Sequence, residues 1–148
     1  MILLDTNVLG RMTDSNDPQC GAARRAVHGL LSRNERLVIV PQNLYEFWAV
    51  ATRRIGPPPV GQNGLGMACE RASLWLNFFQ RRFKLLSDRE ELFGCWHALV
   101  KTHRIKSLKS YDARLVAAMQ THGTSQLLTF NVNDFKSFGI TIIDPAAQ

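Results

Sequence analysis

Met1-Ile-Leu-Leu-Asp-Thr-Asn-Val-Leu9 decides the fold. Ile2 to Leu4 is a short apolar run, and a run of that kind ending at Asp5 reads as a buried strand closed by a carboxylate. Thr6 and Asn7 are poor strand continuers and good helix starters. Val8 and Leu9 then begin an apolar helical turn. Asp5 therefore belongs at the carboxyl end of a central strand, the edge where open α/β sheets bind ligands. A buried, unpaired carboxylate there costs several kcal/mol, on the order of other buried ions. A metal ion is one way to compensate it; a simple helix-capping role is the other.

Beyond that stretch, apolar patterning alternates strands with helices. A helix is expected over residues 19–33, with Ala23, Ala26, Val27, Leu30 and Leu31 on one face. Residues 36–40 read as a second buried strand, and Pro41 opens a helix running to about Ile55. Glu46 lies at the edge of that helix's apolar stripe, where a solvated glutamate is equally natural. Residues 56–66 hold three prolines and four glycines and form a loop. A helix over 67–81 and a strand over 82–86 follow. Ser87 or Asp88 is expected to cap the next helix, with Glu90 and Glu91 in its first turn. A basic connector from Lys101 to Ser110 leads into a helix that Asp112 starts. Asp112 shares a face with Leu115, Val116 and Met119, so it points toward the inner edge. Gly123 ends that helix. Residues 126–130 form a fourth strand, 131–135 a polar turn, and 140–143 a last strand. The pattern implies one α/β domain spanning residues 1–148, with a mostly parallel sheet covered by helices on both faces.

The 148 residues carry a formal net charge of +6, which favours an anionic partner, nucleic acid first. No apolar run approaches the roughly 18 residues of a membrane span. Asp5 interrupts the opening apolar run, so no signal peptide is read there. Cys20, Cys69 and Cys95 are widely spaced and form no CxxC pair. They read as reduced, mostly buried thiols in a cytoplasmic protein. The four histidines have no ligand-like spacing, which disfavours zinc.

Four positions fall in equivalent places: Asp5 after the first strand, Glu46 in the helix after the second, Asp112 at the helix before the fourth, and Asn131 after the fourth, with Asp134 close behind. Each alone has a cap or turn explanation. Together they resemble a carboxylate cluster, and clustered carboxylates repel unless a cation neutralises them. An all-oxygen set suits Mg²⁺ or Mn²⁺.

MILLDTNVL, the YEF glutamate, YDARLVAAM and LLTFNVNDF, in that order, resemble the PIN-domain nucleases, and most of all the VapC toxins of bacterial toxin–antitoxin pairs. The resemblance spans nearly the whole chain. It implies a three-layer α/β/α fold with a five-stranded parallel sheet. It implies a metal-dependent endoribonuclease that inhibits translation and growth, a cognate antitoxin protein as partner, and a homodimer. Residue by residue, it implies catalytic roles for Asp5, Glu46, Asp112 and Asn131, with Asp5 and Asp112 as metal ligands and Thr6, Asn7 and Asp134 in support. The fourth position departs from the commoner aspartate: Asn131 offers an oxygen but no charge, leaving open whether one metal or two is held.

RNA requires a positive surface near such a site. Lys101, Arg104, Lys106 and Lys109 of the connector, with Arg114 one turn into the next helix, are the candidates. Arg53 and Arg54 read as neutralising a helix C-terminus. A haloacid-dehalogenase-type phosphatase needs a second aspartate where Asn7 stands. A response-regulator receiver needs a lysine after its last strand that is absent. The more serious rival is a catalytically weak or inactive PIN-like module that binds RNA or a protein partner, which Asn131 keeps alive.

Overall fold

The computed structural model describes all residues from Met1 to Gln148. Five short strands, β1 (Ile2–Leu4), β2 (Leu37–Ile39), β3 (Lys84–Leu85), β4 (Gln126–Leu128) and β5 (Thr141–Ile143), form one sheet in the order β3-β2-β1-β4-β5. Every pairing is parallel. The chain winds outward from β1 through β2 to β3, then returns to β4 on the other side. Strand order thus reverses at β1, and the carboxyl end of β1 is the switch point at which such sheets leave a crevice.

Alternation along β1 separates two cores. Ile2 and Leu4 face a cluster with Val8, Leu9, Leu37, Ile39, Phe47 and Phe79. Leu3 faces the other, with Val38, Leu115, Val116 and Met119. The first core is covered by α1 (Thr6–Thr13), α2 (Cys20–Ser32), α3 (Pro41–Thr52) and α4 (Cys69–Arg82). The second is covered by α5 (Leu92–Thr102) and α6 (Lys109–Thr121). A short α7 (Val132–Phe135) anchors its end through fully buried Phe135. No helix is long and apolar enough to cross a membrane.

Several local expectations are corrected. α5 begins at Leu92, with no acidic residue in its first turn. Asp88 instead pairs with Arg114, and the Ser87 carbonyl bonds the His122 ring, so neither caps the helix. α3 stops at Thr52 because Arg53 turns extended at ψ 151°. α6 starts three residues before Asp112, which lies in its first turn rather than at its cap. The expected polar turn over 131–135 contains the single helical turn of α7. Only Cys20 of the three free cysteines is buried; Cys69 is exposed and Cys95 intermediate.

Candidate active site

Asp5 leaves β1 directly into α1. It occupies the cap position, but its side chain makes no capping hydrogen bond. Its Oδ2 instead accepts from Thr129 Oγ1 at 2.6 Å and from Asn7 Nδ2 at 2.8 Å. Thr129 follows β4 and is fully buried. Asn7 also bonds Thr129 Oγ1 and accepts from the Phe130 amide. The strand ends of β1 and β4 are thus stitched together beneath the carboxylate. Asp5 is only 8% exposed. Burial pushes its pKa up, the Glu46 charge adds to this, and the hydrogen bonds from Thr129, Thr6 and Asn7 oppose it.

Glu46 arrives from α3, one and a half turns past Pro41. Both its oxygens are engaged: Oε2 accepts from Thr6 Oγ1 at 2.8 Å and Oε1 from Gln42 Nε2 at 2.7 Å. Gln42 also donates to the Tyr111 carbonyl and accepts from Arg114 Nη1. Arg114 in turn donates to Asp88 at 2.7 Å. Asn43 is fully buried, accepts from the Val40 amide and donates to Thr6. One polar chain therefore runs from Asp88 through Arg114, Gln42 and Glu46 to Thr6 and Asn43, linking three helices around the pocket.

Asp112 faces the same pocket from α6. Its pKa is raised from 3.8 to about 6, first by burial and then by the charges of Asp5, Asp134 and Glu46; Lys109 works the other way. No hydrogen bond contributes to its ionisation. The two aspartates therefore repel across the cavity, and Lys109 offsets this only in part.

The cavity measures about 850 Å³. Asp5, Thr6, Asn7, Glu46, Asp112 and Asn131 line it, together with Arg11, Arg53, Tyr111 and others. Asp134 stands outside the lining and pairs with Lys109 at 3.7 Å. Lys101, Arg104 and Lys106 are exposed and do not line the cavity. Arg114 is committed to Gln42 and Asp88. Gln42, Asn43 and Thr129 went unnoticed in the sequence, where a polar pair after Pro41 and a threonine ending a strand are ordinary. Only their burial distinguishes them.

A hard divalent cation fits the donor chemistry. The donors are carboxylate and amide oxygens, and the side-chain hydrogen bonds to Asp5 use Oδ2 and leave Oδ1. No three His, Cys, Asp or Glu side chains are already clustered to hold an ion.

The fold matches solved structures along nearly its whole length. VapC20 of Mycobacterium tuberculosis, described as a sarcin–ricin loop cleaving toxin, aligns with TM-score 0.69 and 18% identity over 95% of this chain and 97% of that one. A toxin–antitoxin complex from Klebsiella pneumoniae aligns with TM-score 0.67 and 18% identity over 98% of both chains. VapBC-1 from nontypeable Haemophilus influenzae gives TM-score 0.65 and 18% identity over 99% of both. At such identity the likeness speaks to fold alone. No curated protein matches the chain in sequence. The family profile described as the PIN domain matches residues 2–140, which takes in every strand but β5 and every cavity-lining residue. The chain therefore belongs to the PIN-domain family.

Proposed function

We propose that this chain is a Mg²⁺- or Mn²⁺-dependent endoribonuclease, the toxin of a VapC-like toxin–antitoxin pair, acting in the cytoplasm to inhibit translation and growth. The observation that carries the reading is the convergence of Asp5, Glu46 and Asp112, from three separate elements, on one cavity at the sheet's switch point. The structural neighbours described as toxin–antitoxin complexes support an antitoxin partner. A homodimer is part of the same proposal.

Asp5 and Asp112 would hold the cation directly. A divalent ion there lowers the pKa of water and neutralises charge on phosphoryl oxygens. Thr129 and Asn7 fix the Asp5 carboxylate through Oδ2, which leaves Oδ1 for the cation. Glu46, oriented by Thr6 and Gln42, positions the attacking water. Asn131 contributes an amide oxygen at the rim, and Asp134 supplies charge from just outside it. Thr6 and Asn7 act through the carboxylates they bond. Hydrolysis by water leaves a 5′-phosphate and a 3′-hydroxyl; attack by the RNA's own 2′-hydroxyl leaves a cyclic phosphate.

Asn131 and the lack of a pre-clustered carboxylate trio favour a second reading, a catalytically weak PIN-like module that binds RNA or a protein. Incubating a mixed RNA pool with antitoxin-free protein in Mg²⁺, Mn²⁺ or EDTA separates the two. Metal-dependent products bearing 5′-phosphates, lost in Asp5→Asn, are expected. RNA binding without cleavage by folded wild type would favour the module.

A further inference from the structure

The cavity does not end at the carboxylates. α1 lines it with Thr6, Asn7, Gly10 and Arg11, and α3 with Glu46, Ala49, Val50 and Arg53. Both sets follow three- and four-residue steps along one helix face. Both helices start at the carboxyl edge of the sheet and run back along it. At 1.5 Å per residue, Arg11 lies about 9 Å down its helix from Asp5, and Arg53 about 10 Å down from Glu46. The cavity is therefore a groove with an acidic head and a foot that is basic on balance, Arg11 and Arg53 outnumbering Asp17.

Neither arginine is used up by the fold. Arg11 Nη1 is buried without a hydrogen-bond partner. Its Nε forms a loose ion pair with Asp17 at 3.9 Å, too long for a hydrogen bond, and Asp17 lines the same cavity. The Phe130 ring, 4.3 Å beneath the guanidinium, is its other partner. Arg53 is exposed at the end of α3, where a cation ordinarily serves the last carbonyls. Here the following loop serves them: the amides of Leu65, Met67, Gly66 and Gly64 bond the carbonyls of Val50, Ala51, Arg53 and Arg54. Gly64 permits this approach, because a Cβ there would collide with the Arg53 carbonyl. The dipole is already satisfied, and the Arg53 side chain is left facing the groove.

Gly10 lies between head and foot. Glycine inside a helix costs about 1 kcal/mol relative to alanine. Nothing stands within 4 Å of a Cβ built at Gly10, so packing does not demand it. Its absent side chain keeps the groove open.

We infer that Arg11 and Arg53 form a phosphate-binding subsite that holds the RNA backbone a few nucleotides from the scissile bond, with Gly10 as the clear floor between them. This rests on the nuclease reading above. A guanidinium offers planar, paired donors to phosphate oxygens. The groove's two signs then divide the work: the acidic head needs a cation before it admits a phosphate, and the basic foot binds one unaided.

The test is anisotropy titration of a short fluorescent single-stranded RNA on the Asp5→Asn background, in EDTA, across a salt series. Arg11→Gln and Arg53→Gln should each weaken binding about tenfold. Together they should reduce the slope of log affinity against log salt by about 1.4, at about 0.7 per single-strand phosphate contact. Gly10→Phe should weaken binding with the charge unchanged. Arg36→Gln, an equal charge change on an exposed residue before β2 at the sheet's far edge, should leave the slope alone. Melting curves check that each variant is folded. Unchanged affinity and slope in the double variant, while wild type still cleaves RNA with metal, would overturn the subsite and leave the nuclease standing. Arginine variants that lose only the cognate antitoxin complex and keep RNA binding would overturn it too. Wild type that neither binds RNA nor cleaves it with metal would remove the nuclease reading and the subsite together.

Discussion

Asp5 and Asp112 face the same cavity and are held in opposite ways. Asp5 ends a central strand, is buried, and has Oδ2 fixed by Thr129 and Asn7. Asp112 rides the first turn of a helix, is half-buried, and has only repelling carboxylates and Lys109 around it. One is a fixed post and the other an adjustable arm. In the proposed cation site the sheet side would set the geometry, and the helix side would supply the less constrained ligand. Asp5, Glu46 and Asp112 share one cavity, and of the two aspartates only Asp5 is tied in place by side-chain hydrogen bonds.

The contrast breaks most visibly in cleavage. Asp5→Asn keeps the side chain's shape and removes the fixed charge. Metal-dependent RNA cleavage should fall by about 10³-fold or more, at least ~4 kcal/mol of transition-state stabilisation. Asp112→Asn should lower it by a smaller factor, about 10²-fold, and excess Mn²⁺ should recover part of the loss. Single-turnover assays over a metal series read both. Equal, metal-insensitive losses would erase the distinction between post and arm.

Thr129→Val tests what makes Asp5 a post. It removes the 2.6 Å hydrogen bond while keeping the shape of the side chain. Activity should drop about 10- to 100-fold, the usual range when a residue that orients a metal ligand is lost. Metal affinity measured by calorimetry should fall with it. Asn131→Asp sharpens the arm: a further charge should tighten Mn²⁺ binding several-fold and lower the stability of the metal-free protein.

The smallest effect is on pH dependence. The folded-state pKa of Asp112 is raised from 3.8 to about 6, so the folded protein favours its protonated form. Its penalty is absent below the unfolded value and develops as pH climbs through about 6. In EDTA, wild type should therefore lose stability relative to Asp112→Asn over that window. The difference should be about 1 kcal/mol after discounting for solvent screening. Denaturant titrations of both proteins at each pH measure it, and saturating Mg²⁺ should abolish it in wild type.

Most of the fold was legible because its signals are local. Ile2–Leu4, Leu37–Ile39 and Gln126–Leu128 are apolar runs bounded by polar residues, and alternation with helices leaves little choice but a parallel sheet. The start of α5 was misread because Ser87, Asp88, Glu90 and Glu91 mimic a capping sequence. A distant partner, Arg114, claims Asp88, and no local pattern records that. That Asp5, Glu46, Asp112 and Asn131 line one cavity was readable from their elements: Asp5 and Asn131 after strands, Glu46 in the helix after one and Asp112 at the helix before one. Their supports were not: Gln42, Asn43 and Thr129 owe their importance to burial across the chain. Basic residues show the same limit. The run from Lys101 to Lys109 attracts attention by density, yet of the arginines lining the cavity Arg11 stands alone in the sequence and Arg53 reads with Arg54 as a helix terminus.

The most direct test of the paired aspartates as a cation site is Mn²⁺ binding followed by electron paramagnetic resonance in RNA-free protein. Wild type is expected to remove free Mn²⁺ signal to saturation, Asp112→Asn to bind about tenfold more weakly, and Asp5→Asn to bind no Mn²⁺ above background. Equal Mn²⁺ binding by all three folded proteins would contradict the assignment.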